Sequence, residues 1–244
     1  MDACLQQNCT ELEMKRWVRR PAVLVVPGGA YRFISEREGE PLALRYAAAG
    51  FQTFILHYTV GTCFQDALLD IAAAMAQIRR HADQWQIDPR QVAVLGSSAG
   101  GHLALWLAVK SACGDEALSQ ICASPSALRP DALILCYPSV YGTGCHSPVL
   151  ETLPEDDVCD YAGVFPPAFL WATQDDRTVP AGQLLRLAAA MTAANAPMEL
   201  HLYQCGDHGL ATADEATGRL APHVAGWLPL SIDWLYRQFG LKGH

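Results

Sequence analysis

At 244 residues and 26.5 kDa the chain suits one α/β domain, or one domain with a small insertion. It is 51% hydrophobic and 17% charged with a formal net charge of -8, which argues against nucleic acid and anionic membrane surfaces as main partners. No run approaches the length of a membrane-spanning helix, and the first residues lack the basic-then-apolar order of a secretory signal. The nine cysteines are scattered and form no CxxC pair, so they read as reduced thiols of a cytoplasmic protein.

In chain order, Ala22 to Val26 reads as a strand, followed by a Gly-rich turn and a helix from about Glu38 to Ala49. Phe51 to His57 is the next strand. Asp66 to Gln84 is amphipathic, with Leu69, Ala72, Ala73, Ala76 and Ile78 at helical spacing. Asp88-Pro89 is expected to break that helix, and Gln91 to Leu95 to form a strand that leads into a helix from Ala99 to Val109. Ala132 to Cys136 and Pro167 to Trp171 are further strands. Pro180 opens a helix to about Asn195, as proline in a first turn does. Met198 to Tyr203 is the last strand, and Val224 to Phe239 a closing helix. Ser139 to Phe165 is irregular and too short for a large cap domain. Nearly continuous apolar strands alternating with helices predict a mostly parallel sheet covered on both faces, with the ligand beyond the carboxyl ends of the strands.

Gly96-Ser97-Ser98-Ala99-Gly100 fits G-x-S-x-G between a strand and a helix. A serine on such a turn is held out above the sheet, and the glycines keep a Cβ from clashing where strand and helix pack closely. A serine hydroxyl is a weak nucleophile and needs a base, which a third group must orient. On this kind of turn the acid and then the histidine follow in chain order. His208, in Cys205-Gly206-Asp207-His208-Gly209 after the last strand, is the expected base. His146 is the second choice, while His102 and His201 are read as packing residues. The acid lies in Gln174-Asp175-Asp176-Arg177-Thr178-Val179-Pro180, where the spacing Asp-x-x-Val-Pro favours Asp176 and leaves Asp175 as a turn or capping acceptor. N–H donors for an oxyanion should come from Ala99 and from the turn Pro27-Gly28-Gly29-Ala30-Tyr31. Tyr31, Arg32, Tyr58 and Tyr137 sit near strand ends as candidate pocket residues, with core packing as the alternative.

From Arg20 onward the chain resembles the small microbial α/β-hydrolase esterases related to acetyl esterases and acetyl-xylan esterases, near the hormone-sensitive-lipase branch. The resemblance rests on Arg20 to Tyr31, Ser35 to Pro41, Leu56-His57-Tyr58, Asp88 to Leu103 and Asp175 to Pro180. It implies Ser98, Asp176 and His208 as a catalytic triad, with the N–H groups of Gly29, Ala30 and Ala99 as the oxyanion hole. Many relatives carry His-Gly-Gly where Pro27 stands here, and the short segment before Arg20 implies a reduced first edge of the sheet.

The expected activity is a serine esterase with no metal or cofactor, acting on a small-molecule ester. With no cap to enclose a long chain, a short acyl group such as acetyl is favoured, and the resemblance implies a carbohydrate as the alcohol. Amide or peptide cleavage, acyl transfer and a non-catalytic ligand-binding role are the alternatives. Oligomerisation is left open.

Overall fold

The computed structural model describes residues 1–7, 19–141, 154 and 156–241. Seven strands form one sheet: β1 (Asp2–Cys4), β2 (Arg20–Val26), β3 (Gln52–Ile55), β4 (Ile87–Ser97), β5 (Ala132–Cys136), β6 (Ala168–Thr173) and β7 (Met198–Tyr203). Their spatial order is β1-β3-β2-β4-β5-β6-β7. Only β1 is antiparallel, to β3, and the other pairings are parallel. This is the α/β-hydrolase arrangement, a mostly parallel sheet with helices. The first edge strand, not read from the sequence, is the three residues Asp2–Cys4.

The helices are α1 (Glu40–Ala48), α2 (Phe64–Arg80), α3 (Ala99–Cys113), α4 (Gly182–Ala193), α5 (Pro222–Ala225) and α6 (Trp227–Gln238). From β2 the chain moves one way to β3, then returns past β2 to β4. Right-handed crossovers in opposite directions put α1 and α2 on opposite faces. On one face Tyr46 of α1 meets Ser231 of α6 through their hydroxyls at 2.6 Å, and Phe51 stacks on Tyr236. On the other, α2 packs on α3. Residues 22–26 of β2 are fully buried, which explains their unbroken apolar run. Helix α3 is buried from Ala99 to Val109, so it too is apolar all round.

Three boundaries differ from the sequence reading. Glu36–Glu38 forms a separate 3-10 turn before α1. Asp88-Pro89 lies inside β4, where the register against β2 shifts between Arg20 and Ala22, so the proline occupies a stretch that needs no ladder donor. The closing helix divides at Gly226, because Pro229 has no N–H to carry the ladder back to Ala225. The irregular region holds a 3-10 helix at Val158–Val164. His146 and most of the remainder of that region lie outside the described residues.

Strand order reverses between β2 and β4. The loops leaving the carboxyl ends of these two neighbours therefore open a crevice between them, where α/β sheets place their ligands. The Pro27–Tyr31 turn and the Ser98 turn are those two loops.

Candidate active site

Ser98 stands between the last residue of β4 and the first of α3, with φ 52 and ψ -117. Such a conformation is costly for a residue with a Cβ and is held by its surroundings. Its N–H donates to the Cys136 carbonyl at 3.0 Å, and its own carbonyl accepts from Gly101, His102 and Ser139. The neighbouring glycines permit close approach. A Cβ on Gly100 would lie 2.0 Å from the Val26 carbonyl oxygen, so only glycine lets α3 start against the end of β2.

His208, on the loop after β7, reaches both other polar partners. Its Nε2 is 2.9 Å from Ser98 Oγ and its Nδ1 is 2.6 Å from Asp176 Oδ2. The Asp176 side chain has no exposed surface, and that of His208 is 14% exposed. Asp176 Oδ1 accepts the N–H groups of Thr178 and Val179, both at 2.8 Å. A carboxylate only accepts, so Nδ1 carries the proton and Nε2 is left as the acceptor facing the serine. Asp175 makes no hydrogen bond to His208 among the described residues. Its Oδ1 accepts the N–H of Asp207 at 3.0 Å, and such backbone bonds hold its carboxyl below the usual range. Two arginines clamp the histidine loop by its carbonyls: Arg37 Nε donates to Gly209 at 2.9 Å and Arg219 to His208 at 2.6 Å.

The turn after β2 has Gly29 at φ 123, Ala30 at φ 56 and Tyr31 at φ 57. A Cβ on Gly29 would meet the Phe33 carbonyl oxygen at 1.9 Å. The carbonyls of Gly28 and Gly29 are taken by Ser35, Arg32 and Phe33. Among the described residues the N–H groups of Gly29 and Ala30 have no acceptor within the chain. Ala99 opens a 15-residue helix, so its N–H is also without an intrahelical partner and sits at the positive end of the helix dipole. An open cleft of about 140 Å³ lies over this ground, lined by Ser98, His208, Gly29, Phe33, Arg37 and Thr178.

The four candidate pocket residues do not line that cleft. Tyr31, Tyr58 and Tyr137 are buried, and Arg32 is exposed and not among the residues that line the cleft. Each tyrosine instead braces a wall. Tyr58 Oη donates to the Pro27 carbonyl at 3.0 Å, and burial raises its phenol well above the usual range. Tyr31 Oη is 2.8 Å from His102 Nδ1, while Trp106 Nε1 donates to His102 Nε2 at 3.2 Å. The indole is donor only, so His102 is the neutral Nδ1–H tautomer, and complete burial pushes its imidazole down to about 3. His102 is thus a packing residue, as is His201, which stacks on Phe169 at 4.9 Å.

The sequence reading passed over Glu38, Phe33, Arg37 and Thr178. Ser35-Glu36-Arg37-Glu38 is as polar as any solvent-facing turn, so nothing in its composition marks Glu38, which is only 2% exposed. Its membership in a stretch shared with the resembled family is the one signal that could have singled it out. Among the described residues, no group of three or more His, Cys, Asp or Glu is arranged to hold a metal ion, and no helix is long and apolar enough to cross a membrane.

A sequence model of the BD-FAE family matches residues 12–128, which include both crevice loops. The chain is 30% identical over 215 residues to endo-1,4-beta-xylanase B of Butyrivibrio fibrisolvens, a match that covers 81% of this chain and 34% of that protein. It spans less than half the length of the curated relatives it matches. Among solved structures, the acetyl ester-xyloside bifunctional hydrolase of Caldicellulosiruptor lactoaceticus superposes with a TM-score of 0.77 at 30% identity, over 92% of this chain and 85% of that one. A carboxylesterase of Lactobacillus plantarum superposes with a TM-score of 0.85 at 27% identity, over 99% and 94% of the two chains.

Proposed function

Because this chain belongs to the small α/β-hydrolase esterases, we propose that it hydrolyses short-chain carboxylic esters through an acyl-enzyme on Ser98. The observation that carries this reading is the single imidazole of His208 spanning Ser98 Oγ at 2.9 Å and Asp176 Oδ2 at 2.6 Å. Nε2 takes the serine proton as Oγ attacks the ester carbonyl, and the carbonyl oxygen becomes an oxyanion. The N–H groups of Gly29, Ala30 and Ala99 receive that charge, each such donor being worth about 10²–10³ in kcat. Nε2–H then protonates the departing alcohol as the carbonyl re-forms, leaving an acylated serine. Water attacks next, giving its proton to Nε2. Collapse releases the carboxylic acid and returns the proton to Oγ. Throughout, Asp176 holds the proton on Nδ1 and balances the imidazolium.

The cleft supports a small acyl group. At about 140 Å³ it is close to the roughly 150 Å³ that encloses a benzene ring, too little to enclose a long chain. An acetyl ester on a carbohydrate is the substrate we favour. Its support is the naming of two relatives, one a xylanase and one an acetyl ester-xyloside hydrolase.

The test is release of p-nitrophenol from its acetate, followed through the first turnover, for wild type and Ser98→Ala. Wild type should show an acylation burst, and Ser98→Ala should lose about 10⁴-fold or more in turnover. Full turnover by Ser98→Ala would remove the assignment. A panel crossing acyl length with alcohol type, including acetylated xylo-oligosaccharides, then tests the substrate. Activity that rose with acyl length would overturn the short-chain reading.

A further inference from the structure

Glu38 is a carboxylate with almost no exposure, on a 3-10 turn that belongs to neither crevice loop. Its two oxygens are divided between two walls of the site. Oε2 accepts the N–H of Gly28 at 2.8 Å, next to the residues that carry the free N–H groups. Oε1 accepts the hydroxyl of Tyr137 at 2.9 Å. The same Tyr137 oxygen accepts the N–H of Ala211 at 3.0 Å, three residues beyond His208. The Tyr137 ring also meets the His208 imidazole edge-on, with centroids 5.0 Å apart. A continuous chain of hydrogen bonds therefore runs from Gly28 through Glu38 and Tyr137 to the histidine loop.

We propose that Glu38 is a positioning residue that sets the oxyanion loop against the His208 loop through Tyr137. This rests on the esterase reading above. The chemistry explains why a carboxylate stands there. Two donors, one N–H and one O–H, converge on it from opposite sides, and only an ionised carboxyl offers an acceptor to each. Bonds to a charged acceptor are also shorter and stronger than neutral ones. Burial and the adjacent carboxylate raise the Tyr137 phenol well above its usual range, so it remains the donor. Arg37 on the same turn donates to Gly209, so two consecutive side chains tie this turn to both loops.

Glu38→Gln keeps the shape and replaces one acceptor with a donor: with its carbonyl on the Gly28 N–H, its NH₂ faces Tyr137 Oη, and the phenol hydrogen loses its acceptor and must turn away. Displacement of the N–H groups by a fraction of an ångström should lower kcat on p-nitrophenyl acetate about 10- to 100-fold. KM should stay within about two-fold, since the ground-state ester makes little use of those donors. Inhibition by an alkyl boronic acid, whose adduct with a serine is tetrahedral and anionic, should weaken by the same factor as kcat. Tyr137→Phe should show the same pattern to a smaller degree, and the double variant should be no worse than Glu38→Gln. Should Glu38→Gln fail to fold, Tyr137→Phe carries the same comparison alone. The proposal is overturned if kcat and boronate affinity are unchanged, or if KM rises while boronate affinity holds. Wild type without esterase turnover would instead overturn the esterase reading, so the two failures are distinguishable.

Discussion

Replacing Asp176 by asparagine should invert the imidazole rather than merely weaken it. Among the described residues Oδ1 receives two backbone N–H groups, from Thr178 and Val179, whereas Oδ2 receives only His208 Nδ1. An asparagine must leave its carbonyl oxygen on the two N–H groups, because its NH₂ placed there would face two donors. The NH₂ is thereby turned toward Nδ1. A neutral imidazole can meet that donor only with the Nδ1 lone pair, which moves its proton to Nε2, against Ser98 Oγ. The serine then has no acceptor for its proton. Loss of the correct tautomer in a serine triad costs about 10⁴ in kcat, or about 5 kcal/mol of transition-state stabilisation. The assay is steady-state hydrolysis of p-nitrophenyl acetate by Asp176→Asn and Asp175→Asn side by side, with thermal melting to show that both fold. Asp175→Asn should stay within a few-fold of wild type, since its carboxylate accepts from the Asp207 turn and from Thr173 and makes no hydrogen bond to His208 among the described residues. Turnover by Asp176→Asn within ten-fold of wild type, or a larger loss in Asp175→Asn, would refute the reasoning.

Two further outcomes concern stability. His102 is held neutral with its imidazole at about 3, whereas the unfolded chain protonates it near 6.5. Below 6.5 the unfolded state binds the extra proton, so stability falls as pH falls toward 3, by roughly 1.5 kcal/mol between pH 6.5 and 5.0 from this residue. Urea unfolding at those two pH values should show a shallower decline in His102→Gln by that amount, and equal declines would contradict the account. Gly100→Ala would place a Cβ 2.0 Å from the Val26 carbonyl oxygen and 2.6 Å from that of Pro27. Because both are backbone atoms, strand and helix must separate, at about 1–3 kcal/mol. Melting should therefore drop by about 3–10 °C, and an unchanged melting temperature would show that the two elements are not in contact.

The turn at Ser98 was legible because its demands are local. Gly96 and Gly100 are needed wherever a strand folds back into a helix, and the apolar runs on either side announce both elements. The fully buried strands were legible for a similar reason, since a strand covered on both faces must be apolar at every position, as Val23-Leu24-Val25-Val26 is. Asp88-Pro89 does follow the end of α2, but β4 begins already at Ile87, because the pairing of β4 with β2 slips there and the proline is asked for no ladder bond. The tyrosines were left between cleft and core because a strand end borders both, and sequence does not say which way a ring turns.

The amino-acid sequence by itself determined the order of strands and helices from β2 to β7, the turn that raises Ser98, and the loops that hold His208 and the two aspartates, but not the edge strand β1. These follow from chain-local rules of polarity, period and backbone freedom. Only the tertiary structure decided that Asp176 and not Asp175 faces the imidazole, that the tyrosines brace the cleft instead of lining it, and that a glutamate on a polar turn is buried between two loops. Each of those depends on where side chains from distant segments meet, and a hydrogen bond across 99 residues, as between Glu38 and Tyr137, leaves no periodic trace in the sequence.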